Sequence, residues 1–221
     1  MTLWTGTLAF ITISLLMMVL SIIYADIELI RFVQEESRGI EALAALSFAV
    51  SAFLAGLLAL IMRSRLWGYC AIAMAAAGAR EMDLHKQWTS DSIFKINFYQ
   101  DPDGALLEKL VGAFIILLLL IVLTGLIRHI PQWWRGLQHY TLQAWLVLFG
   151  LGALGVGKVL DSMARIFPFA ADFHKQHRTY LGFTEESLEL LGASMFLILC
   201  VVAFYTIGRE KITSRQVRCC S

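Results

Sequence analysis

Six stretches of predominantly apolar residues, each 17 to 23 long, recur along this chain of 221 residues. They cover residues 3–24, 40–62, 66–82, 106–127, 141–160 and 188–207. About 20 apolar residues in a helix cross the hydrocarbon core of a bilayer. The pattern predicts an all-α fold: a polytopic membrane helix bundle with about six transmembrane helices and both termini on the same, cytoplasmic side. Residues 1–221 form a single integral membrane domain, because no linker or low-complexity stretch divides the chain.

Composition agrees. Apolar residues make up 58% of the chain and charged residues 16%. Soluble domains run nearer about 45–50% and 25%. A disordered chain, a collagen and an ordinary soluble enzyme are excluded. The formal net charge is +1, so no global field points to nucleic acid. Cys70 and Cys200 sit inside apolar runs, and Cys219 and Cys220 close a basic tail. No paired cysteine spacing implies a disulfide framework or a zinc knuckle. Met1-Thr2-Leu3-Trp4 lacks the charged start of a cleavable signal peptide, so the first run reads as a retained membrane helix. Small residues in the third run (Ala75, Ala76, Ala77, Gly78, Ala79) and the fifth (Gly150, Gly152, Gly155, Gly157) suit close helix packing.

Charge is segregated. Threading six spans puts Arg63, Arg65, Arg128, Arg135, Arg209, Lys211, Arg215 and Arg218 on one face with one acid, Glu210. The other face receives the remaining sixteen acids and ten bases. By a count of Lys and Arg alone the orientation rule does not decide. The short unmixed basic loops and the basic tail nevertheless look cytoplasmic. That reading places the acidic face outside the cytoplasm and the protein in a bacterial inner (plasma) membrane. His129 and His139 flank Trp133 and Trp134 on the basic face, which reads as an interfacial aromatic anchor.

Ionisable residues intrude at one membrane depth in nearly every span. The second run opens near Glu41; the third ends in Arg80-Glu81-Met82-Asp83-Leu84-His85. The fifth ends in Lys158, Asp161 and Arg165, and the sixth is preceded by Glu185 and Glu186 and begins near Glu189. Antiparallel spans bring all these ends to one face. Glu81 and His85 are four apart and share a helix face, as do Glu185 and Glu189. Asp161 is spaced to pair with Arg165 or with Lys158. Glu35-Glu36-Ser37 and Glu185-Glu186-Ser187 lead into two different runs. The echo is read as chance, because acids favour helix starts for dipole reasons.

His85, His174 and His177 fall on the acidic face. Two or three histidines with a carboxylate would suit zinc or another transition metal. The expected ligands of a divalent metal ion, zinc first, are His85, Asp161, His174 and His177. Glu41, Asp83, Asp161 and Glu189 alone would suit calcium or manganese. Glu81 or Asp83 would be the catalytic base beside a metal-bound water. Glu41, Lys158, Glu185, Glu186 and Glu189 are the further buried polar or ion-binding candidates. The competing reading is a scaffold, in which interfacial charges pair only to hold helix register.

Other templates fail. No nucleophile elbow, P-loop, dinucleotide fingerprint or zincin motif is present. The chemistry loosely resembles that of the seven-helix metal-dependent membrane hydrolases, which include alkaline ceramidases and adiponectin receptors. Those hold zinc with three histidines, alongside a serine, an aspartate and a water. Here Glu81-x-x-x-His85 replaces their Ser-x-x-x-His, His174-x-x-His177 replaces their His-x-x-x-His, and the runs number six. The resemblance stops at chemistry, and membership is not assigned. Three functions remain: a metal-dependent hydrolase or transferase acting on a lipid or its headgroup, an ion or small-solute transporter, and a non-catalytic subunit. The bilayer is the expected partner, with a lipid substrate for the enzyme reading. A second copy of the chain or another membrane protein would suit the subunit reading.

Overall fold

The computed structural model describes residues 2–24, 39–82, 98–99, 105–166 and 175–219. Seven helices account for nearly all of them: α1 (Thr2–Tyr24), α2 (Gly39–Met62), α3 (Arg65–Glu81), α4 (Leu106–Ile127), α5 (Ile130–Gln138), α6 (Leu142–Ile166) and α7 (Arg178–Cys219). Among the described residues there is no strand. Four helical stretches are long and apolar enough to cross a membrane: Gly39–Met62, Leu106–Ile127, Leu142–Met163 and Thr179–Ile207. Helix α3, with 17 residues, is shorter than these. In α1 the described apolar stretch is Trp4–Leu16.

Helix α7 is the centre of the bundle. It packs against α2 on one side and α6 on the other, and it touches α1. Helix α3 packs on α2, and α4 packs on α3. One core unites Ala44, Phe48, Ala55 and Leu58 of α2 with Met74 of α3 and Ala193, Cys200 and Ala203 of α7. A second unites Leu142 and Leu146 of α6 with Met195, Leu199 and Val202 of α7. The outer faces stay apolar: Phe53, Leu60, Leu107, Phe114 and Val159 are all exposed. Such faces are what lipid contact requires, since tails solvate leucine as well as protein does.

Close approach depends on particular glycines. A Cβ at Gly192 would overlap Leu154 and lie 3.1 Å from the Gly150 carbonyl, so α6 and α7 meet backbone to backbone there. At Gly78 it would stand 3.2 Å from the Phe48 Cβ and 3.3 Å from the Ala45 carbonyl. Gly152 and Gly155 face open space instead. The fifth-run glycines therefore do not all serve the same contact. Where α2 meets α7, Cys200 Sγ donates to the Ser51 carbonyl at 3.5 Å, and Ser51 Oγ donates to the Ser47 carbonyl at 2.6 Å. These local bonds let two polar side chains sit in an apolar interior.

Two segments depart from the sequence reading. The connection after α4 contains a helix, α5. Pro131 sits in its first turn, where a missing N–H costs nothing. The sixth run was expected to begin at residue 188, yet α7 begins at Arg178. The expectation stopped at the first acids. Helix formation does not, because glutamate and leucine are good helix formers wherever the chain sits.

Candidate carboxylate site

The acidic ends of α2, α3, α6 and α7 come together around Arg80. Its Nη2 lies 3.1 Å from Glu189 Oε1 on α7 and 3.6 Å from Glu81 Oε1 beside it on α3. The first contact is a hydrogen bond donated by the guanidinium. The carboxylates are the buried members, with side-chain exposures of 9% for Glu81 and 11% for Glu189, against 53% for Arg80. Arginine suits the position because its stem can lie along the bundle while its fork serves two acceptors.

The remaining acids surround this bridge. Glu41, exposed in the first turn of α2, lies within electrostatic reach of Glu81 and Glu186. Glu185 is turned towards α6, where Asp161 and Lys158 act on it. Lys158 Nζ donates to Asp161 Oδ2 one turn along α6. Gly157 of α6 faces this part of α7: a Cβ there would lie 3.5 Å from the Glu185 carbonyl, in ordinary contact. The 100° offset between successive residues thus sends Glu185 to α6 and Glu186 to α2, with Glu189 between them.

Depth follows from helix rise. Glu81 lies about 24 Å along α3 from Arg65, and the hydrocarbon layer is about 30 Å thick. Buried charges are costly, which is why the acids share a guanidinium and an ammonium.

His177 immediately precedes α7, and its carbonyl accepts the Leu181 N–H at 3.0 Å, closing the first turn. It is about 12 Å along the helix from Glu185, above the level of the bridge. Asp83, His85 and His174 lie outside the described residues. Among the described residues, no three His, Cys, Asp or Glu side chains are grouped to hold a metal ion. Glu41, Asp161 and Glu189 are therefore arrayed around α7 rather than converging on one point. The bridging role of Arg80 went beyond the sequence reading, which placed it only in the charged end of the third run. Nothing in residue spacing places Glu189, 109 positions away, on the same guanidinium. No protein-family model, curated protein or solved structure matches the chain.

Proposed function

We propose that this chain is a six-span protein of a bacterial inner membrane, with both termini in the cytoplasm. Its acidic end is a metal-dependent hydrolytic or transfer site for a lipid or its headgroup. The observation that carries the reading is the meeting of four helices' acids around Arg80. Chain continuity adds the donors. Asp83 and His85 follow Glu81 by two and four residues, and His174 and His177 directly precede α7. A divalent ion, zinc first, would be held by His85, His174 and His177 with Asp161, and would supply an activated water. Glu81 or Asp83 would hold the proton of that water. Arg80 keeps Glu81 oriented and presents a cation to a headgroup phosphate.

Elemental analysis of detergent-purified protein, never exposed to chelator, tests this reading. Near-stoichiometric zinc, manganese or iron is expected, and it should be lost in His85→Ala and His177→Ala. Full occupancy in both variants would refute the ligand set.

A second reading is a cation or proton carrier. The burial of Glu189 on the central helix favours it, since intramembrane acids mark ion paths. Metal-free, folded protein that drives cation-coupled flux in proteoliposomes, with the flux lost in Glu189→Gln, would replace the first reading by this one.

A further inference from the structure

The opposite end of the bundle carries a different kind of surface. Helix α5 is strongly two-faced, with none of its residues buried. Trp133 Nε1 donates to the Ala144 carbonyl at 3.0 Å. A Cβ at Gly136 would lie 2.9 Å from Thr141 Oγ1 and 3.0 Å from Ala144 Cβ. These contacts hold α5 at the depth of the first turn of α6, rather than letting it project beyond the bundle. Ile130, Trp134 and Tyr140 are left exposed at 48%, 57% and 72%. A short two-faced helix held at the end of membrane spans, with bare aromatic rings, is built to lie in the lipid–water boundary.

The charge around it has one sign. Tyr69 of α3 packs its ring against Gly125 of α4. Arg65 is one turn from Tyr69, and Arg128 lies three residues beyond Gly125. The two arginines therefore sit at matching depth on touching helices. Arg63 occupies the tight turn just before α3, and Arg135 lies on α5 itself. All four are exposed. The sequence holds no acid between Glu41 and Glu81, or between Glu108 and Asp161.

We propose that α5, with Arg63, Arg65, Arg128 and Arg135, forms a binding surface for anionic phospholipid headgroups of the leaflet it faces. The four positive charges attract the phosphates of the headgroups. Trp134 and Ile130 enter the boundary beside the acyl chains. A soluble acidic partner would match the charge but would leave the exposed rings without an apolar neighbour. This surface is independent of the carboxylate site and does not depend on its chemistry.

The test uses the full chain in neutral detergent. It is titrated with dioctanoyl phosphatidylglycerol or dioctanoyl phosphatidylcholine and followed by tryptophan fluorescence. A basic side chain near an anionic surface is worth about a fivefold factor, so the wild type should prefer phosphatidylglycerol by about tenfold or more. The preference should shrink with added salt. It should fall to within about twofold when Arg63, Arg65, Arg128 and Arg135 are all changed to Gln. Lys109→Gln, at the other end, should leave it intact. Replacing the same four arginines by Lys should keep most of it, and this arm still decides the matter if the Gln variant does not fold. Trp134→Ala should weaken both lipids equally. The proposal is overturned if the wild type shows no preference or the Gln variant keeps it. Loss of the preference in the Lys variant also overturns it, as does displacement of the lipid by millimolar inorganic phosphate.

Discussion

Arg80 joins two helices that the sequence keeps far apart. Its guanidinium stands between the buried acids Glu81 and Glu189. Removing one partner of a fully buried ion pair costs about 3–5 kcal/mol, because the other charge is stranded. Arg80 is half-exposed, so solvent shields part of that loss. Arg80→Gln should therefore lower stability by about 2 kcal/mol, read as a reduced midpoint of unfolding in detergent. Restoring neutrality should recover most of it, with Arg80→Gln/Glu189→Gln more stable than the single variant. A double variant no better than the single would mean that the bridge carries no stabilising charge pairing.

The acids near the bridge were legible from spacing, and so was their arrival at one face. Their partners were only partly so. Lys158 and Asp161 are one turn apart on one helix, so local geometry names the pair. The contact from Arg80 to Glu189 depends on how α3 and α7 are rotated about their axes, which no local rule fixes.

Helices pack here through missing side chains as much as through present ones. The approach of α6 and α7 at Gly150 and Gly192 leaves no room for a larger residue. Overpacking a tight contact costs about 1–3 kcal/mol. Gly192→Leu should lower stability by that amount and expose the two helices to thiol labelling at introduced cysteines. Gly155→Leu, facing open space, should cost far less. Equal effects of the two variants would show that α6 does not meet α7 through this face. Helix existence was readable from apolar length, and the ends of α4 match the run exactly as it stands in the chain. The start of α7 was not, because the run was bounded by hydrophobicity, whereas the helix is bounded by backbone hydrogen bonding. Helix α5 was hidden for a related reason: nine residues with two tryptophans and a proline read equally well as an anchoring loop.

At the scale of the molecule, charge is polarised along the bundle. Arginines cap the end formed by the α2–α3 turn, the end of α4 and α5, while carboxylates gather at the other. Parallel contacts between α2 and α7, Phe48 with Phe196 and Ser51 with Cys200, place the basic tail at the arginine end. Short basic segments are retained on the cytoplasmic side of a membrane. A reporter fused after Ser221 should therefore read cytoplasmic, and one inserted after Pro102 should read external. The opposite pair of readouts would invert the topology and place the carboxylate site inside the cell.

Membrane location, helical class and the division into a basic and an acidic end came from the sequence alone. Each depends on quantities that add up residue by residue along the chain: transfer of apolar side chains into lipid, and the sign of the charges between runs. The identity of the neighbours did not. Most of these spans are apolar on every side, so no stripe tells which face turns inward. Only packing around α7, set by glycine approaches and the fit of Phe48, Leu146 and Met195, decided that Glu81 of one helix and Glu189 of another would share a single guanidinium.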